Sequence, residues 1–157
     1  VLNQQIVAVE RKLSEIAKEI PAVQKFRDID GVGLLTALSF VLTIEDPSRF
    51  PHARDVGPYL GFTPIVRQSS ETEFRGRCTK RGDARTRRYL IQAAQSLLRS
   101  RRDSALKRWT LALAERRGRR KAVVALARKL AVVMQHLWLS GETYLPFPCL
   151  KEKTAAA

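Results

Sequence analysis

The apolar positions of the first twenty residues step alternately by four and three: Leu2, Ile6, Val9, Leu13, Ile16, Ile20. That rhythm places one seam along one face of a helix, and Pro21 ends or kinks it. Such a helix either packs on its own domain or forms a coiled-coil arm. In residues 24–44, Ile29-Asp30-Gly31-Val32-Gly33 precedes an apolar run from Leu34 to Leu42. The spacing predicts a short helix, a Gly-x-Gly hairpin and a second helix. A polar connection with Pro47 and Pro51 follows, anchored by Phe50 and carrying a solvated or capping His52, and a short helix over 53–60 closes at Gly61.

Residues 62–77 lose helical periodicity. Phe62, Ile65 and Val66 suit one extended piece and Phe74 to Cys78 a second, which predicts a hairpin with residues 69–73 at its tip. Thr79 or Asp83 then caps a helix over 84–98 whose apolar face is Tyr89-Leu90, Ala93-Ala94 and Leu97-Leu98. A helix with Ala105, Trp109, Ala112 and Leu113 on its inner face is broken at Gly118. The last helix, 121–139, carries a core stripe of Val123, Ala127, Leu130, Met134 and Leu137 and stops at Gly141, with His136 off the stripe. The expected fold is mainly α: a helical arm over 1–21, a compact domain over 22–145 with a possible short β-hairpin, and an extended or frayed tail over 146–157.

Composition adds a partner to this outline. Of 157 residues 45% are hydrophobic, so a real core is within reach. Lys and Arg number 29 against 15 Asp and Glu, a net charge of +14. That excess favours a polyanion, nucleic acid first. No uninterrupted apolar run of membrane-spanning length occurs, and no membrane partner is expected. Cys78 and Cys149 form no disulfide framework, which suggests a reducing cytoplasm, and no Cys/His spacing suits zinc. The chain opens on Val1 in helix-like sequence, as a piece of a longer protein would.

The densest chemistry lies between Gly57 and Arg88. Ser69 and Ser70 follow Arg67 and Gln68, and Arg75, Arg77, Lys80, Arg81, Arg85, Arg87 and Arg88 then crowd together with Asp83 as the one acid among them. Cations hold phosphate, Arg in bidentate fashion, and a hydroxyl beside them can reach phosphorus. Cations in the first turns of the 84–98 helix also oppose its dipole, a conflict that an anionic ligand resolves. At the other hairpin, Gly31, Val32 and Gly33 can bring backbone close to a phosphate at a helix start; the plain alternative is a packed corner. The run Arg116 to Lys121 is a solvated turn or a further backbone contact.

Several stretches occur in a distinctive order. They are Ile29-x-Gly-Val-Gly; Tyr59-Leu60-Gly61-Phe62-Thr63-Pro64; Gln68-Ser69; Arg75-Gly76-Arg77-Cys78-Thr79-Lys80-Arg81-Gly82-Asp83; Ser104-Ala105-Leu106-Lys107; Arg120-Lys121-Ala122; and Ala127-Arg128-Lys129-Leu130-Ala131. Over residues 25 to 140 this order resembles the C-terminal domain of insertion-sequence transposases of family one-hundred-ten, also called one-hundred-sixteen. The resemblance implies a two-part recombinase. A ribonuclease-H-like domain outside this sequence holds Mg2+ on four acidic residues, and the present domain supplies a serine that attacks a DNA phosphodiester. It also implies a guide RNA from the element, dimers or tetramers, a coiled-coil arm before the domain, and a bacterial or archaeal cytoplasm. Ser69 falls where the family has its serine; Ser70 replaces the glycine that follows there and is the second candidate. Arg67, Arg75, Arg77 and Lys80 are expected to neutralise phosphate, joined by Arg81, Arg85 and Arg88. No cofactor is expected on this chain itself. The competing reading is a helix-hairpin-helix binding and oligomerisation module without catalysis, with both serines incidental. A structured-RNA binder comes third, disfavoured as a base-stacking protein by an aromatic content of 7%.

Overall fold

The computed structural model describes residues 2–69 and 72–147, and the side chains of these except 66–77. The elements in chain order are α1 (Leu2–Lys18), α2 (Pro21–Arg27), α3 (Leu34–Ile44), two short 3-10 turns (Pro47–Arg49 and Ala53–Asp55), α4 (Val56–Tyr59), β1 (Pro64–Ser69), β2 (Thr72–Cys78), α5 (Ala84–Arg99), α6 (Ala105–Arg117) and α7 (Arg119–Ser140). The domain is mainly α, as the periodicity predicts, with one antiparallel hairpin.

Helix α7 is the axis. Ala122, Leu126, Ala127, Leu130, Ala131 and Met134 are fully buried, and the alanines let α5 and α6 approach closely from different sides. By length and composition α7 could cross a membrane, but half of its apolar window is buried inside this fold, as befits a core helix. At its far end an edge-on aromatic cluster joins α2, α3 and α7: Phe26 meets Phe40 at 5.5 Å and Trp138 at 5.9 Å between centroids. Each such side chain removed from water contributes roughly 1.5–3 kcal/mol, so this cluster is a principal tie between the N-terminal helices and the bundle. Lys25 Nζ also donates to the Gly141 carbonyl beyond α7.

The seam of the first helix is unevenly covered. Leu2, Ile6, Val9 and Ile16 are 70%, 48%, 56% and 53% exposed, while Leu13, Ala17 and Ile20 turn inward. Most of the seam therefore lies in solvent and only its end is docked on α2 and α3. Pro21 does not kink α1; it begins α2, where a missing N–H is harmless.

Helix α6 differs from the sequence-based expectation. Its buried residues are Leu106 and Thr110, whereas Trp109 and Ala112 face solvent. The inner stripe is rotated by one position, because Leu106 and Thr110 (i, i+4) with Leu113 and Ala114 pack as well as the expected set. Thr110 hides its hydroxyl by donating to the Leu106 carbonyl at 2.7 Å. The chain after α7 is docked at its start rather than frayed: Tyr144 packs on the core, and the Pro146 carbonyl accepts from the Ala105 amide at 2.9 Å. The rest of the expected tail, 148–157, lies outside the described residues.

Candidate functional site

Helix α5 organises the site. Asp83 caps it, accepting from the Thr86 amide at 2.5 Å, and this bond, first among several, holds the Asp83 carboxyl below the usual carboxylate range. Asp83, not Thr79, is therefore the cap. Thr86 is fully buried, with its hydroxyl 2.6 Å from Ser39 Oγ and 2.7 Å from Thr43 Oγ1. That hydroxyl cluster fixes the first turn of α5 against α3. With α5 thus oriented, Arg85 and Arg88 are exposed and Arg87 is half-buried.

Arg87 has a role that the sequence reading missed. It points inward, and its guanidinium donates to the Leu60 carbonyl at 3.0 Å and to the Arg81 carbonyl at 3.3 Å. These carbonyls belong to the segment entering β1 and the segment leaving β2. The same two segments touch backbone to backbone. A Cβ on Gly61 (φ +77°) would lie 2.1 Å from the Arg81 oxygen, and one on Gly82 (φ +90°) would lie 2.1 Å from the Tyr59 oxygen. The Thr79 amide donates to Thr63 O at 2.8 Å and the Lys80 amide to Gly61 O at 3.3 Å. Lys80 itself sits at φ 56°, a conformation that side chains rarely adopt. The glycines of Tyr59-Leu60-Gly61-Phe62 and Lys80-Arg81-Gly82-Asp83 are thus explained by one crossing, the root of the β-hairpin. Lys80 and Arg81 project from it into solvent.

Beyond the root, β1 and β2 pair from Pro64↔Cys78 to Ser69↔Thr72, with an irregularity between Pro64 and Val66. There β2 carries one more residue than β1, and Gly76 lies in that bulge. The strands run further than expected, so Ser69 is the last residue of β1 rather than part of a loose tip. Five strand steps separate it from Pro64, about 17 Å of chain. Ser69 therefore lies far along the hairpin from the cations of the root. Arg67 lies in β1 and Arg75 and Arg77 in β2; their side chains, and the whole of Ser70, lie outside the described residues.

The Gly-x-Gly corner divides its labour. Gly31 (φ +84°) is needed for packing: a Cβ there would sit 2.4 Å from the Ala93 carbonyl oxygen of α5. Val32 is buried and its amide donates to Ile29 O at 3.0 Å. The Val32 amide is thereby engaged, whereas Gly33 differs from both neighbours. It is exposed, has open space where a Cβ would be, and begins α3 with no side-chain cap. It opens on a cleft of about 410 Å3 lined by Gly33, Leu34, Leu35 and Thr36 of α3, Glu10 and Ser14 of α1, and Tyr89 and Gln92 of α5. Arg85, Arg88, Tyr89 and Gln92 follow the i, i+3, i+4, i+7 spacing of one helix face, about 10 Å long. That face leads from Arg85 and Arg88 to Tyr89 and Gln92, which line the cleft with Gly33. Its sequence signal was present in the spacing of those α5 residues.

Among the described residues no three of His, Cys, Asp and Glu converge as metal ligands.

Comparison with known proteins bears on this geometry. The sequence profile of the family described as Transposase IS116/IS110/IS902 matches residues 23–110, from α2 through the hairpin and α5 into α6. The chain is similar to the transposase for insertion sequence element IS1111A of Coxiella burnetii, 36% identical over 86% of this chain and 38% of that protein. It is also similar to the transposase for insertion sequence element IS1328 of Yersinia enterocolitica, 27% identical over 91% of this chain and 43% of that protein. It therefore spans well under half the length of either relative. The matched stretch contains the glycine crossing, the hairpin and the basic helix start in one order, and the chain belongs to the IS116/IS110/IS902 transposase family.

Proposed function

We propose that this chain is the serine-bearing part of a DNA transposase, in which Ser69 attacks a DNA phosphodiester while the hairpin root and α5 hold the flanking backbone. The observation that carries the reading is the hairpin itself: a serine at the end of a strand whose base is pinned by two glycine contacts and Arg87 beside exposed cations. In the step, an Oγ–P bond forms and a P–O bond to deoxyribose breaks. The serine proton ends on the leaving sugar oxygen. One phosphodiester replaces another, so the step is reversible and rejoining needs no external energy source. The chain's own residues contribute positioning and charge neutralisation: Lys80, Arg81, Arg85 and Arg88 on the strand near the root, and Arg67, Arg75 and Arg77 nearer the serine. Gly33 and the uncapped start of α3 offer amides to a further phosphate.

The rest of the reading concerns the whole protein. A separate acidic domain would bind Mg2+, a guide RNA from the element would select the target, and the exposed seam of α1 would pair two or more copies in the cytoplasm where DNA is found. The alternative, a binding module without catalysis, draws on the open cleft at Gly33 and needs neither serine. The discriminating experiment is a strand-transfer assay on the full-length protein with its guide RNA, searching for a covalent protein–DNA adduct. An adduct lost in Ser69→Ala and kept in Ser70→Ala is the expected result. An adduct indifferent to both leaves the binding module standing.

A further inference from the structure

Helices α6 and α7 are joined by the single residue Gly118, and the Ala105 amide bonds to Pro146 O beyond the end of α7. They therefore run antiparallel, with Gly118 at the tip of a helical hairpin. Around that tip stand Arg116, Arg117, Arg119, Arg120 and Lys121, all exposed. From Leu106 to Gly141 there are nine Lys and Arg residues and one acid, Glu115. Among the described residues none of the five tip cations forms an ion pair, and their one side-chain hydrogen bond runs from Arg116 to Ala112 O at 3.5 Å.

The arrangement works against the helix. Arg119, Arg120 and Lys121 fill the first turn of α7, where the dipole is already positive, and Gly118 supplies no side-chain cap. Nothing lies within 4 Å of a Cβ on Gly118, so the tip does not pack on the rest of the fold. Farther down, Lys129 Nζ sits 4.2 Å from the ring centroid of Trp109, which is 37% exposed. That contact puts α6 and α7 on a shared outer side, and Trp109 and Arg116 are two turns apart on it, about 10 Å. The cations thus continue from the tip along the hairpin. Most are Arg, whose planar fork suits phosphate, and the tip run from Arg116 to Lys121 contains no aromatic.

We propose that the α6–α7 tip is a second site for the backbone of double-stranded DNA, separate from the hairpin root and the face of α5. Helices α5 and α6 lie on different sides of α7 and hardly touch, so the two surfaces can take different stretches of duplex. The proposal rests on the DNA reading above and not on Ser69.

The test is duplex affinity of this chain, by fluorescence anisotropy with a short duplex of arbitrary sequence, as a function of salt. The tip variant changes Arg116, Arg117, Arg119, Arg120 and Lys121 to Gln. A control changes the exposed Arg11, Lys12, Lys18, Arg27 and Arg54 to Gln, with the same loss of charge. Each phosphate contact contributes about −0.9 to the slope of log K against log salt. The tip variant is expected to lose at least about tenfold in affinity at moderate salt and to flatten the slope by about 2–4, with the control much closer to wild type. A photocrosslinker on Arg120→Cys, in a chain carrying Cys78→Ser and Cys149→Ser, is expected to capture duplex. Equal losses in tip and control, or no capture, would overturn the tip and leave the DNA reading intact. A tip variant that keeps duplex affinity but loses affinity for an RNA hairpin would also overturn it. Absence of duplex binding by the wild-type chain at low salt would sink the DNA reading itself.

Discussion

Helix α5 starts Asp83-Ala84-Arg85-Thr86-Arg87-Arg88 and helix α7 starts Gly118-Arg119-Arg120-Lys121, so both place cations at the positive end of a dipole. Their surroundings differ. At α5 a carboxylate caps the first turn, a buried hydroxyl locks it, and Arg87 is absorbed into the fold by two carbonyls. At α7 there is no side-chain cap, and among the described residues no partner for the cations of the first turn. Similar sequence signals therefore carry different meanings. A basic helix start can be architecture in part, and only the side chains left over by that architecture are available to a ligand.

The strongest way to break the comparison is at the glycine crossing, because it is what α5 is built to hold. Gly61→Ala or Gly82→Ala puts a methyl 2.1 Å from a carbonyl oxygen at positive φ. Backbone must move, and the loss of stability is expected to be roughly 3–5 kcal/mol, at the upper end for a single substitution. Thermal melts measure it. A change below about 1 kcal/mol would mean that the two segments do not meet as described. The equivalent change at the other tip, Gly118→Ala, meets no atom within 4 Å and leaves only the strain of its positive φ.

Arg87 is the next largest. Arg87→Met keeps the length of the side chain and removes both donors, leaving the Leu60 and Arg81 carbonyls without them. A destabilisation of about 1.5–3 kcal/mol is expected, the range for hydrogen bonds from a charged group. Arg88→Met, one position on and exposed, should leave the melt within about 0.5 kcal/mol and weaken duplex binding instead. If the two variants exchange these phenotypes, the division between clamp and ligand is wrong.

What the sequence disclosed, and what it did not, follows the same line. Heptad steps, the apolar stripe of α7 and the Gly/Pro punctuation reported helices, a hairpin and their order, since periodicity marks one face of an element whether or not that face is covered. Long-range backbone contacts left only indirect marks. Gly61 and Gly82 were visible as glycines, but that each faces the other's segment depends on the fold. Likewise Arg85, Arg87 and Arg88 read as one cluster, and only the docking of Thr86 on α3 decides which of them turns inward. Gly31 and Gly33 were treated alike although one packs on α5 and the other faces a cleft. In α6 two stripes of similar apolarity competed, and contact with α7 chose Leu106 and Thr110.

The cap gives a smaller effect with a pH signature. The Asp83 carboxyl is depressed in the fold chiefly by the Thr86 amide. A depressed carboxylate stabilises above its unfolded value and loses that contribution as pH falls through its folded value. Asp83→Ala should therefore lower stability by about 0.5–2 kcal/mol near neutrality, and the gap to wild type should close below about pH 4. A gap that persists into acid would assign the loss to something other than the charged cap.

The smallest expected change is the most telling, because it has the opposite sign. Replacing Arg119 by Glu puts a carboxylate in the first turn of α7, where the dipole favours it, and leaves the other tip cations in place. If α7's cations serve only a ligand, the fold should gain about 0.3–1 kcal/mol, while duplex affinity falls and its dependence on salt weakens. Stability and binding then move in opposite directions at α7. At α5 they divide between neighbours, with Arg87 serving the fold and Arg88 the ligand. A loss of stability in Arg119→Glu would mean that this side chain is held by the structure after all, and the contrast between the two helix starts would disappear.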